Sequence, residues 1–233
     1  MAIPFYLAQT GAEFHCCQPR PDKIGWMACH FSSYGTGVSN LPPQLPEGSL
    51  LILNDRTPVR GHDPQRIFEQ LSETIRRHRC SGLLMDFQRA GEAGAASIAA
   101  ALAALPCPVA VSALYAAGLD CAVFIPPTPL LTPVADHLQP WQGREIWLDI
   151  GTECLQITIT ESGSAQAEIP LPQAPCGTLQ DDTLHCHYNI QLDPEQAIFT
   201  LQRNRDDLLA LLEEAASLGV TQAIGLYQDF RQW

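Results

Sequence analysis

Apolar residues along this chain gather in short runs, and between most of them apolar positions recur every three or four residues. The short runs predict strands buried on both faces, and the longer period predicts helices that cover them. Phe5-Tyr6-Leu7-Ala8 reads as a short strand or hairpin arm, residues 24–31 as the first core strand and residues 50–53 as the second. Asp63 and Pro64 then supply a cap and a first helical residue, and Ile67, Phe68, Leu71 and Ile75 repeat on one face. The run Ser81-Gly82-Leu83-Leu84-Met85-Asp86-Phe87-Gln88 predicts a third strand that ends in an acid and an amide. An Ala-rich helix over about 92–105 follows, stopped by Pro106. Residues 108–112 and 121–125 are the fourth and fifth strands, with room for a turn or two of helix between them. Residues 126–140 hold five prolines and read as irregular, so a crossover helix is missing there.

From about residue 145 the pattern changes. A strand over 145–150, alternation over 154–161, Ser162-Gly163 and then 165–170 read as a hairpin excursion placed at about 145–170. Residues 184–191 and 197–201 form a second strand pair around Asp193-Pro194. Asn204 or Asp206 caps a last helix with Leu208, Leu211, Leu212 and Ala215 inward and Gly219 at its stop. A final strand over 223–227 runs into Gln228-Asp229. About seven core strands alternating with helices over 233 residues predict one α/β domain, 1–233, folded as a (β/α)8 TIM-type barrel. The count leaves open an incomplete ring, and the second half carries the β-hairpin insertion.

Composition narrows the chemistry. A formal charge of −12 disfavours nucleic acid or an anionic membrane as partner and leaves a neutral ligand such as a sugar untouched. No segment reaches transmembrane length, and the first residues lack the basic start of a signal peptide. Nine scattered cysteines with no CxxC pair predict free thiols in a reducing compartment, hence a cytoplasmic protein. Lys23 is the only lysine and precedes the first core strand, which removes Schiff-base, pyridoxal and Walker-loop chemistry. No cofactor is implied.

In a βα barrel the active site is built at the carboxyl ends of the strands. Asp55 and Asp86 both fall there, one strand apart, as an acid–base pair or as caps for neighbouring loops. Gln88, Tyr227 and Gln228 suit sugar hydroxyls and a sugar face. His30, Ser32 and Tyr34 follow the first core strand, and His30 is a candidate base, although no serine sits in a nucleophile elbow. His185 and His187 share a strand face without a third ligand nearby. The loop Gly91-Glu92-Ala93-Gly94 precedes a helix, but Glu92 makes it a poor phosphate cradle.

The run over 81–88 resembles the signature strand of glycoside hydrolase family 18, the chitinase-like TIM barrels, whose pattern is Asp-Gly-x-Asp-x-Asp-x-Glu. The strand pairs around His187-Tyr188-Asn189 and Ile198-Phe199-Thr200, the leucine-rich helix and the strand over 219–227 are also similar to that family. The likeness covers roughly residues 50–125 and 184–230. Gly82 and Asp86 match; Ser81 and Leu84 replace the first two acids, and Gln88 replaces the Glu. The resemblance implies that Asp86 would orient a substrate N-acetyl group and that the position of Gln88 would protonate the leaving oxygen. It also implies an aromatic on the last strand, here Tyr227, as the floor of a sugar pocket. An amide has no proton to transfer near neutral pH, so losing that acid costs roughly 10²–10⁴ in rate. The favoured expectation is therefore a barrel impaired as a chitinase that binds carbohydrate through Gln88, Tyr227, Gln228, His30 and Tyr34. An active glycosidase or other hydrolase using Asp55 and Asp86 is the alternative, and a structural or interaction domain with a filled rim is the third.

Overall fold

The short apolar runs meet edge to edge and close on themselves. The computed structural model describes residues 3–16, 21–34, 36–169 and 177–231. The chain runs through β1 (Phe5–Gln9), α1 (Gly11–Cys16), β2 (Ile24–Phe31), the two-residue β3 (Val38–Ser39) and β4 (Leu50–Asn54). It continues through α2 (Pro64–His78), β5 (Gly82–Asp86), α3 (Ala95–Leu102), β6 (Val109–Ser112), β7 (Ala122–Ile125), α4 (Val134–Leu138) and β8 (Ile146–Ile150). Five strands of an insertion follow: β9 (Cys154–Thr160), β10 (Gly163–Glu168), β11 (Leu179–Asp181), β12 (Cys186–Leu192) and β13 (Gln196–Gln202). Helix α5 (Arg205–Ser217), β14 (Val220–Leu226) and α6 (Tyr227–Phe230) end it.

Eight parallel strands form a closed barrel in the order β1, β2, β4, β5, β6, β7, β8, β14, with β14 returning to β1. The stretch read as a strand or hairpin arm is thus a barrel strand, pairing Tyr6 with Ile224 on one side and Ala8 with Gly25 on the other. The ring is complete, and the reduction lies in its helical shell. Among the described residues no helix joins β2 to β4, a single 3-10 turn over Ala113–Tyr115 joins β6 to β7, and α4 is a short helix in the proline-rich segment. Where helices form, local chemistry fixes them. Asp63 accepts the N–H of Gln65 and Pro64 opens α2, whose Ile67, Leu71 and Ile75 are buried against the barrel wall. Asn204 and Asp207 bond each other's backbone N–H reciprocally at the start of α5.

The barrel lumen is a packed core. Tyr6, Leu50, Ile52, Leu84, Phe124, Trp147 and Ile224 fill it. Trp147 is fully buried, with its indole N–H on a Glu145 carboxylate oxygen at 3.2 Å. Glycine is required at position 82, where a Cβ would stand 2.5 Å from the carbonyl oxygen of Pro108 and 3.3 Å from the Trp147 ring.

The excursion expected at 145–170 is divided. Ile146–Ile150 belongs to the barrel as β8, while β9 to β13 make one antiparallel sheet in the order β10, β9, β13, β12, β11. The two strand pairs seen separately in the sequence are fused by the pairing of β13 with β9, Phe199 opposite Ile157. This sheet leaves the barrel beyond the carboxyl end of β8, and Leu130 from the β7–α4 connection packs with its Cys186 and Leu201. Arg203, 5% exposed, locks the join by donating to the carbonyls of Thr128, Pro129, Leu184 and His185. Cys29, Cys80, Cys107, Cys121 and Cys186 are thiols without disulfide partners, and burial pushes that of Cys29 up to about 12. Cys17, Cys176 and most of the Cys-Cys-Gln-Pro-Arg-Pro loop lie outside the described residues. Among the described residues no helix is long and apolar enough to cross a membrane.

Candidate functional site

Strand alternation decides what reaches the mouth of the barrel. Leu84 points into the lumen, so Asp86, two residues on, rises from the inner face at the carboxyl end of β5, beside Asn54 at the end of β4. Phe87 takes the opposite side and is fully buried, its ring 5.6 Å from Phe31 and 6.0 Å from Tyr115. Its N–H donates to the Ser112 hydroxyl at 2.9 Å. The next two amides, of Gln88 and Arg89, donate to the Asp55 carboxylate at 3.1 and 2.8 Å. These contacts turn the loop and bring Gln88 back over Asp86, and its Nε2 donates to Asp86 Oδ1 at 2.5 Å.

Asp55 is therefore the buckle of the loop rather than an acid–base partner. It is 3% exposed, and each of its oxygens accepts a backbone N–H. The rule that places strand-end carboxylates in an active site does not distinguish a side chain facing the mouth from one facing the neighbouring loop. Asp86 faces the mouth. Burial lifts its carboxyl above the ordinary 3.8, the Gln88 hydrogen bond pulls it back, and the charge of Asp55 lifts it further.

A cleft of about 560 Å³ opens here, lined among others by Thr10, Met27, His30, Asn40, Asn54, Asp55, Asp86, Gln88 and Arg89. It collects His30, Asp55, Asp86 and Gln88 from the expected set. His30 is half-buried with both ring nitrogens engaged: Nδ1 lies 2.8 Å from the Phe31 carbonyl and 3.1 Å from Thr57 Oγ1, and Nε2 lies 3.1 Å from Asn40 Nδ2. These contacts fix the ring and hold Asn40 at the wall of the cleft.

Three other expected residues do not line this cleft. Tyr34 is fully exposed on the connection between β2 and β3. Tyr227 and Gln228 open α6 instead of ending the last strand. Ile224 points into the lumen, and Leu226, two residues on at the end of β14, is 37% exposed and does not line the cleft. His185 and His187 each meet a carboxylate of α5, Glu214 at 2.6 Å and Asp207 at 2.7 Å. Glu92 accepts the Val59 N–H, which ties the glycine-bearing loop to the wall.

Asp149 escaped the sequence reading. Trp147 fills the lumen, so Asp149 rises two residues above it at the carboxyl end of β8, half-buried on the inner face. Burial pushes its carboxyl up to about 7, the charge of Asp86 adds to the rise, and a hydrogen bond from the Ile150 N–H opposes it. The signal was present in Trp147-Leu148-Asp149-Ile150, but that run was assigned to the hairpin excursion.

No family model matches the sequence, and no curated relative does. Several solved structures share its architecture. The spore cortex-lytic enzyme SleL of Bacillus megaterium superposes with a TM-score of 0.56 at 9% identity, over 96% of this chain and 70% of that one. SleL of Bacillus cereus gives 0.54 at 9% identity, over 98% and 73%. The chitinase of Chromobacterium violaceum gives 0.54 at 9% identity, over 96% and 93%. At such identities the likeness establishes the fold.

Proposed function

We propose that this barrel is glycoside-hydrolase-like and binds a saccharide in the cleft at its mouth, with Asp86 and Gln88 as the polar floor of the site. The observation that carries the reading is the Gln88–Asp86 pair, an amide clasped to a half-buried carboxylate and opening into a cleft of about 560 Å³. Clefts of this size with a few convergent polar groups are where small ligands bind. Sugar hydroxyls both donate and accept, and this wall offers both: the Asp86 and Asn54 oxygens accept, while the Gln88 amide donates. The open cleft disfavours an interaction domain whose rim is filled by its own side chains. The solved neighbours with this fold, cortex-lytic enzymes and a chitinase, point the same way. Position 88 contributes no proton, so β5 by itself is impaired as the strand of a chitinase.

A glycan screen that includes chito-oligosaccharides, read by titration calorimetry, tests this. Binding by the native chain, weakened tenfold or more in Asp86→Ala and Gln88→Ala with their melting curves intact, supports the reading. Binding that is indifferent to both substitutions, or absent across the screen, overturns it.

A further inference from the structure

Resting on the saccharide reading, we propose that the ligand of this cleft is an acidic saccharide, a sugar that carries a carboxylate, held through that group by Arg56 and Arg89. The lining is the first ground. Besides His30, its ionisable side chains are two acids, Asp55 and Asp86, and two arginines, Arg56 and Arg89. That balance departs from the chain at large, where 25 acids stand against 13 bases. The acids are engaged within the protein. Both oxygens of Asp55 accept backbone N–H groups, and Asp86 is clasped by the Gln88 amide. The arginines are far less so. No described salt bridge includes either one. Each guanidinium presents a fork of N–H donors. Among the described residues the one such donor with a partner is Nη2 of Arg89, on the Arg56 carbonyl at 2.7 Å.

The way the two are held is the second ground. Arg56 directly follows Asp55, and its backbone N–H donates to Asn54 Oδ1 at 3.1 Å. The backbone N–H of Arg89 donates to Asp55 Oδ2 at 2.8 Å. The buckle that shapes the loop after β5 therefore also brings two guanidinium-bearing residues, from the ends of adjacent strands, to one cleft. The Arg89 contact with the Arg56 carbonyl ties them together.

A ligand with paired anionic oxygens matches such forks, because a carboxylate accepts two parallel N–H bonds from one guanidinium. A neutral sugar leaves these donors to water, while its hydroxyls meet Asp86 and Gln88. The formal charge of −12 opposes an anion at long range, but salt at physiological strength screens it beyond about 8 Å, and the guanidiniums act at contact. Both arginines are exposed, so each pairing is modest, and the two together should give about a tenfold preference for the acidic sugar.

Titration calorimetry with two probes of equal length tests this: a neutral chito-oligosaccharide and an oligosaccharide of alternating N-acetylglucosamine and glucuronate. The native chain should bind the acidic probe about tenfold more tightly, and the preference should shrink to within about twofold at about 0.5 M sodium chloride. Arg56→Gln, whose guanidinium has no described partner, should lose about threefold of it. Arg56→Gln/Arg89→Gln should lose all of it, with affinity for the neutral probe held within about threefold and the melting curve intact. Arg89→Lys keeps the charge without the fork and should retain only part of the preference. A native chain that binds both probes alike, or a double variant that keeps the preference, overturns the acidic ligand and leaves the saccharide reading standing. Failure of both probes to bind sinks the saccharide reading and this one with it. Inorganic sulfate is the third probe: if it binds as tightly as the acidic oligosaccharide, the arginines hold a bare anion and the proposal falls. The salt dependence and the sulfate titration need no variant.

Discussion

Removing the carboxylate of Asp55 separates its two expected roles most sharply. The side chain is 3% exposed and holds the Gln88 and Arg89 amides at 3.1 and 2.8 Å, so Asp55→Ala leaves two partly buried donors without their acceptor. Hydrogen bonds to a charged group contribute about 1.5–3 kcal/mol each, so the loss of both should cost about 3–5 kcal/mol. That is a large part of the roughly 5–15 kcal/mol that keeps a domain folded. For a chain of this size each kcal/mol moves Tm by about 2–4 °C, so melting should fall by at least 6 °C or so. Asp55→Asn keeps one acceptor but turns its NH₂ toward the second amide, and should cost about half as much. Urea unfolding followed by circular dichroism gives both values, and saccharide titration below the melting range shows whether the loop still presents Gln88. If both variants unfold within about 0.5 kcal/mol of the native chain, Asp55 does not hold the loop and the assignment of its two hydrogen bonds is wrong.

Further consequences can be measured the same way. Asp149 binds its proton more tightly in the folded chain, near 7, than at the ordinary 3.8 of the unfolded one. Its contribution is therefore unimpaired below about pH 4 and is lost as pH rises toward 7 and beyond. The full span corresponds to about 4 kcal/mol, and partial solvation at the mouth reduces it to about 2; Asp149→Asn should stabilise the fold by that much more at pH 8 than at pH 4 in urea melts. Gly82→Ala drives a methyl group to 2.5 Å from the Pro108 carbonyl oxygen, and should cost about 2–3 kcal/mol by the same method, a loss expected of overpacking. Asn204→Ala removes the acceptor of the Asp207 N–H at 3.0 Å and the amide group that meets His187 Nδ1 at 3.1 Å, with an expected cost of about 1–2 kcal/mol. Hydrogen exchange should show that cost as earlier opening of the first turn of α5.

What the sequence disclosed follows the range of the forces involved. The strand over 82–86 was legible because an unbroken apolar run ends abruptly in polar residues, and α2 because Asp63, Pro64 and a repeating face all act within a few residues. Strand β1 was harder. Five residues with Gln9 at the end give little local signal, and its partners Ile224 and Gly25 come from opposite ends of the chain's remainder. The union of two hairpins into one sheet likewise depends on Phe199 meeting Ile157, a contact no local pattern announces. At the site, Asp86 and Gln88 could be named from their strand. The turn of Asp55 toward the loop amides, and the appearance of Asp149 over Trp147, depended on which face each strand offers the lumen.

The seam between β1 and β14 has a further consequence for how this molecule is made. Tyr6 pairs with Ile224 and Leu7 with Gly225, so the hoop cannot shut until β14, more than two hundred residues after β1, has left the ribosome. Until then the hydrogen-bonding edges of β1 and β8 stay open to wrong neighbours. Biogenesis of this chain should be slow and dependent on chaperones, limited by arrival of the last strand rather than by the stability of the finished barrel.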